Sequence, residues 1–266
     1  MIENFKNILN PVTNKTVKII SKEGLYILKK YKDNLTTNKV GGAADIKFKT
    51  LVIKKYKKFN KQKIITSKSD WNIINENYMI YDENNQLKAV FLKKIIPKEL
   101  ILIGREELQK YKAKTTLRLD SAGFSNYITP KNGDPIRKMA NPVNSAVVGF
   151  YERNNFYPCR QTILYKKHKK SFNKRTIKLI QHISNIFKKY CRKQYNTQND
   201  YIKKINPYMR LKGTVFTTLT VNQDFRTRSH YDKGDYSEGF SNLSVYNIGN
   251  FTGGELLFPE YKMGFN

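Results

Sequence analysis

The C-terminal fifth of the chain places the tightest limit on its fold. Short strand-like runs at 214–221, 226–232, 243–248 and 255–258 are punctuated by glycines at 234, 239, 249, 253, 254 and 264. Runs this short do not complete a stable helix, and glycine frees the backbone for the tight reversals that join antiparallel strands. The pattern predicts an antiparallel jelly roll, in which two facing sheets share one core.

Upstream, the elements alternate. Tyr78 to Tyr81 and Leu87 to Leu92 flank Asp82-Glu83-Asn84-Asn85 and read as a hairpin, and Pro97 stands where a helix begins and runs through Leu100 towards Tyr111. Residues 120–141, with Gly123, Pro130, Gly133 and Pro135, read as one long loop. A second hairpin is expected from Ala146 to Tyr151 and Cys159 to Tyr165. Ser171 reads as the N-cap of the clearest helix, in which Ile177, Ile180, Ser184, Phe187 and Cys191 recur three or four apart. The fold class that follows is α+β, a double-stranded β-helix (jelly roll) core with flanking helices over residues 71–266, preceded by a basic arm or small module over 1–70.

Charge bears on partners. Fifty Lys and Arg against 21 Asp and Glu leave a net charge of +29, a field that attracts polyanions. Nucleic acid is the first partner expected, DNA before RNA; the other reading is a compositional bias from an AT-rich coding sequence. Residues 1–70 hold 17 lysines and five acidic residues, and Lys54, Lys55, Lys57 and Lys58 interleave with Tyr56 and Phe59. A surface that tracks phosphates and stacks bases has that composition, and so does a solvated linker. Hydrophobic residues at 39% and aromatic residues at 13% are too many for a chain disordered throughout. Two cysteines without a Cys-x-x-Cys pair, and an N-terminus without a cationic start and apolar stretch, predict an intracellular protein, nuclear or cytoplasmic, with no membrane span.

Of the three histidines, His168 lies in Lys166-Lys167-His168-Lys169-Lys170, where a metal ion would be repelled, and reads as solvated surface. His182 falls within the long helix with no acid or second histidine three or four residues away, and reads as a core-edge residue. His230 is followed two residues later by Asp232, and in a regular strand that spacing puts both side chains on one face. An imidazole and a carboxylate supply two of the three ligands of the two-histidine, one-carboxylate site that leaves positions on Fe(II) open.

The run 216–235, Phe-Thr-Thr-Leu-Thr-Val-Asn-Gln-Asp-Phe-Arg-Thr-Arg-Ser-His-Tyr-Asp-Lys-Gly-Asp, is followed by Gly239-Phe240 and by Phe251-Thr252-Gly253-Gly254-Glu255-Leu256-Leu257-Phe258-Pro259. Together with Leu117-Arg118-Leu119-Asp120, Asn141-Pro142-Val143-Asn144-Ser145 and Pro158-Cys159-Arg160-Gln161-Thr162 upstream, it resembles the oxygenase domain of the ten-eleven-translocation and base-J-binding-protein family. The likeness runs in family order from about Trp71 to the end. It implies a 2-oxoglutarate and Fe(II)-dependent dioxygenase that hydroxylates the methyl group of methylcytosine or thymine in nucleic acid. In that reading His230 and Asp232 bind iron, Asp235 and Asn222 reach the target base, and Arg226 or Arg228 contacts 2-oxoglutarate or a phosphate; a solvated edge is the other reading of the two arginines. The family's second iron-binding histidine and its 2-oxoglutarate arginine follow the Gly-Gly-x-Leu-x-Phe-Pro segment, whereas no histidine follows His230 here, so the resemblance implies a chain truncated at its C-terminus. Two other functions stay open: hydroxylation of a protein side chain by the same chemistry, and nucleic-acid binding without catalysis. Around Asn10-Pro11-Val12-Thr13, the N-terminus resembles short adaptor modules of large DNA viruses, which implies a viral origin.

Overall fold

A computed structural model describes residues 7–9, 16–18, 46–55, 71–115, 118, 125–128, 137–140, 142–151, 159–225, 227, 230, 235–246, 249 and 253–266. The chain divides into two units, Met1–Lys47 and Phe48–Asn266. In the first, β1 (Asn7–Leu9) pairs antiparallel with β2 (Thr16–Lys18).

The second unit opens with β3 (Lys49–Ile53), β4 (Asn72–Ile74), β5 (Tyr78–Asp82) and β6 (Leu87–Phe91). β3 lies upstream of residue 70 yet pairs parallel with β5, and β5 and β6 form the expected antiparallel hairpin. Its turn is closed by Asp82, whose carboxylate accepts from the backbone N–H groups of Asn84 and Gln86 at 2.9 Å, while Asn85 takes a φ of 58°. Asx side chains stabilise turns by this local bond. Ile80 is fully buried at the centre of the sheet.

Pro97 precedes α1 (Lys98–Leu108), as expected, and a 3-10 turn (Gln109–Tyr111) leads into β7 (Lys114–Thr115). The stretch read as one loop instead contains an antiparallel pair, β8 (Ser125–Ile128) and β9 (Arg137–Ala140). The long β10 (Val143–Tyr151) pairs with β11 (Arg160–Gln161), which bears out the second hairpin only as far as Gln161.

Thr162 then caps a helix by accepting from the backbone N–H of Tyr165, so residues 163–165 are helical and not strand. The helical rod runs as α2 (Ile163–Ser171), a π segment (Phe172–Thr176) and α3 (Ile177–Tyr190), followed by α4 (Arg192–Lys203). Ser171 is therefore inside the rod and caps nothing. The π segment inserts one residue per turn, and its flanking side chains, Phe172 and Thr176, are both fully buried. The Tyr111 hydroxyl meets Thr176 Oγ1 at 2.8 Å, which satisfies two polar atoms in the core.

β12 (Thr218–Gln223) lies antiparallel on β10, giving the sheet order β11-β10-β12 with β7 also on β10. Val148, Phe150, Val221, Tyr165, Phe172 and Ile180 close the main core between this sheet and the helical rod. At Gly149, φ is +126°, and a Cβ there would come within 2.5 Å of the Thr217 carbonyl oxygen, so only glycine lets β10 and the approach to β12 meet. The chain continues to β13 (Leu256–Phe258) and β14 (Met263–Phe265), antiparallel to each other, with β14 parallel to β4. Phe265 stacks on Phe91 at 4.8 Å, sealing a second core around Ile53, Ile74 and Ile80. The whole is a mixed α/β architecture of small sheets with flanking helices.

Candidate functional site

β12 delivers the chain to the residues singled out for iron. In register, Ser145 faces Asn222 and Ala146 faces Val221 across β10 and β12. The Ser145 hydroxyl donates to Asn222 Oδ1 at 2.7 Å and accepts from Arg118 Nε at 2.8 Å. Three segments far apart in sequence thus converge on one relay, Arg118 to Ser145 to Asn222. With one lone pair of its Oδ1 engaged and its side chain oriented by that bond, Asn222 has its amide NH₂ to offer as a donor. The sequence named Asn222 but not its partners; the runs 117–120 and 141–145 carried the signal.

Beyond Gln223 the strand stops, because Asp224 takes a left-handed φ of 55° that a continuing strand does not accommodate. Phe225, Thr227 and His230 lie outside any strand. The strand expected over 226–232 is thus not found at Thr227 and His230, its two described residues, and the rest of it lies outside the described residues. His230 is exposed; Asp232, Arg226 and Arg228 lie outside the described residues. Among the described residues, no three His, Cys, Asp or Glu side chains are grouped to hold a metal ion. Asp235 is exposed, and its carboxylate accepts a short hydrogen bond from the Ser241 hydroxyl.

The segment after Asp235 is tied down by single contacts. Tyr236 stacks on Tyr201 of α4 at 4.4 Å, and the Phe240 N–H donates to Gln198 Oε1 at 3.2 Å. Tyr246 lies against Gly104 of α1, where a Cβ would come within 2.9 Å of its ring. Burial pushes the Tyr246 phenol up to about 12, so it stays protonated. Residues 243–246, the described part of the strand expected over 243–248, are irregular, with Leu243 and Val245 exposed.

The other histidines divide. His182 is partly buried on α3; burial lowers its pKa, against a hydrogen bond to the Ile95 backbone, and keeps it neutral, consistent with a core-edge role. His168, read as solvated, instead sets its ring edge-on to Tyr111 at 5.7 Å. Of the four lysines expected to track phosphate, Lys54 pairs with Glu83 at 3.4 Å and Lys55 with Glu260 at 3.3 Å, so part of that charge is already balanced. Lys57 and Lys58 lie outside the described residues. Cys159 is half-buried and Cys191 buried, and burial pushes the Cys191 thiol up to about 11.

Comparison with known proteins bears on the same stretch. Residues 146–266 match the oxygenase domain of the 2OGFeDO superfamily, Tet_JBP, a superfamily named for its use of 2-oxoglutarate and iron. The bifunctional helicase and thymine dioxygenase JBP2 of Leishmania braziliensis is 27% identical over 203 residues, covering 74% of this chain and 17% of that protein. Thymine dioxygenase JBP1 of Trypanosoma brucei brucei is 28% identical over 181 residues, 67% of this chain and 19% of its own length. JBP1 of Leishmania major is 25% identical over 185 residues, 68% of this chain and 20% of its own. The chain thus spans about a fifth or less of each of these relatives. No solved structure is significantly similar to it. The match to the Tet_JBP oxygenase domain runs from the centre of β10 through His230 to the last strand, and over that stretch the chain is similar to 2-oxoglutarate and Fe(II)-dependent oxygenases.

Proposed function

We propose that this chain contributes the oxygenase core of an enzyme that hydroxylates the methyl group of a pyrimidine base, thymine or methylcytosine, in DNA. The observation that carries the reading is the match of residues 146–266 to the oxygenase domain, with thymine dioxygenases among the relatives. A double-stranded β-helix core is part of the proposal: β10 and β12 would supply one of its sheets and the strands around β13 and β14 part of the rest.

His230 and Asp232 have the donor chemistry that suits Fe(II), one neutral imidazole nitrogen and one carboxylate, and they are the residues that would hold it. Bound iron and 2-oxoglutarate supply the oxidising power that attacks a methyl C–H bond. The chain's own contribution is to position the base. Asn222, whose Oδ1 is held by Ser145, would present its NH₂ to a pyrimidine carbonyl oxygen. Asp235 would accept from the N3–H of thymine or the exocyclic amino group of methylcytosine, displacing its bond from Ser241. Arg226 or Arg228 would meet the 2-oxoglutarate carboxylate or a phosphate.

The test is an assay of the complete reading-frame product that contains these 266 residues, supplied with Fe(II), 2-oxoglutarate and duplex DNA. Hydroxymethylated base, detected by mass spectrometry of digested DNA and abolished by His230→Ala, is the expected result. Succinate release with no modified base, or base product undiminished in His230→Ala, would overturn it.

A further inference from the structure

One basic cavity lies outside the residues assigned to chemistry. Lys167, His168, Lys170, Ser171, Lys174 and Arg175 line an open hollow of about 350 Å³ where α2 runs into the π segment. Its inner wall is fixed by a fully buried carboxylate. Glu107 accepts from Ser171 Oγ at 2.5 Å and Lys110 Nζ at 2.7 Å, and pairs with Arg175 at 3.0 Å. Glu106 also binds Arg175. These two acids are therefore committed to Lys110, Ser171 and Arg175. Among the described residues no carboxylate pairs with Lys167, Lys170 or Lys174, and all three are exposed.

The three lysines stand three and four residues apart, across the non-helical His168 (φ −108°, ψ 15°) and into the π segment, and they line the hollow together as a row. Each carries three donors and no acceptor, the chemistry of a point contact to a phosphate oxygen. The backbone N–H groups of this helical interior are bonded within the rod, so no ring of amides is free to enclose a single small phosphate. The hollow is instead open along the row, and it suits successive phosphates of one polymer strand.

We propose that the Lys167, Lys170 and Lys174 row is a docking strip for the phosphodiester backbone of duplex DNA, contacting phosphates without reading bases. The proposal rests on the reading that this protein works on DNA and adds where a length of duplex outside the target base is held. Such contacts set register and supply affinity that falls with salt as counterions are released.

The experiment uses the 266-residue chain, without iron or 2-oxoglutarate, and a fluorescent 20-base-pair duplex followed by anisotropy from low to moderate salt. Lys167→Gln/Lys170→Gln/Lys174→Gln should weaken binding about tenfold or more near 0.1 M salt. It should also make the slope of log K against log salt shallower by about 2 to 3, since each lost phosphate contact accounts for about 0.9. Arginine at the three positions should restore the slope. A control, Lys193→Gln/Lys204→Gln/Lys212→Gln, removes the same charge from other exposed positions and should change affinity less than about twofold, with unfolding midpoints equal across all variants. Equal losses from the two glutamine triples, an unchanged salt slope, or a loss seen with phosphatidylserine vesicles but not with DNA would each overturn the strip. Because no oxidation is measured, a failure of base hydroxylation would strike the proposed activity and leave this result standing.

Discussion

The stretch from β10 to β12 and the stretch from Asp224 to Tyr246 are held by different physics. In the first, Val148, Phe172, Thr176, Leu179 and Ser184 are almost wholly removed from water, and Val148 and Phe172 belong to one core shared by the sheet and the rod. In the second, Leu243 and Val245 are 72% and 74% exposed, and position is kept by the Gln198 bond, the Tyr201–Tyr236 stack and the Tyr246–Gly104 contact. The frame is built by burial, which resists change everywhere at once. The described part of the segment beyond it is held at a few points, which fix where the chain passes while leaving Leu243 and Val245 accessible.

The comparison breaks if mutations in the two stretches cost the same. Phe172→Ala should cost about 3–5 kcal/mol in urea unfolding, because it empties a site closed by Tyr111 and Tyr165. A smaller but pH-marked loss is expected at Glu107. Burial raises its pKa, but hydrogen bonds from Lys110 and Ser171 and the charges of Lys110 and Arg175 outweigh that and hold it below the ordinary carboxylate value. A depressed folded-state pKa gives stability that is present above the unfolded value and fades as the pH falls through the folded one. Glu107→Gln should therefore cost about 1–3 kcal/mol at pH 7, a difference from wild type in urea that shrinks as the pH is lowered through the depressed folded-state value. In the tethered segment, Gln198→Ala should cost only about 0.5–1.5 kcal/mol, with faster amide hydrogen exchange confined to the residues around Phe240. Leu243→Ser should fall within about 0.5 kcal/mol of wild type. A Leu243 effect as large as that of Phe172 would show that the segment is part of the core.

Local chemistry made much of the frame legible. Pro97 before an apolar-spaced run, and Asp82 to Asn85 between two β-rich runs, carry their conformations within a few residues, so α1 and the β5–β6 hairpin could be read directly. The start of the long rod could not. Lys166 to Lys170 hides the spacing of Leu164, Tyr165, His168 and Phe172, and the π insertion shifts the phase so that the pattern emerges only after Ile177. That Thr227 and His230 stand outside a strand was hidden for a similarly local reason: one left-handed residue, Asp224, follows the end of β12, and nothing in the alternation of the sequence registers it. Asn222 was legible as a site residue, yet its relay through Ser145 to Arg118 depends on a pairing between β10 and β12 that joins distant parts of the chain.

The parallel pairing of β14 with β4 also bears on how the protein is made. Residues 72–74 wait for 263–265, about 190 residues later, before that edge is covered and the Asn266 N–H can reach the Ile74 carbonyl. At the usual pace of translation that interval is on the order of 10–40 s. Throughout it the nascent chain carries an open strand edge beside the unfinished Ile53, Ile74 and Ile80 core, a template for pairing with neighbouring chains. Yield in the cell should accordingly depend on chaperone supply and synthesis rate more than on the stability of the finished fold.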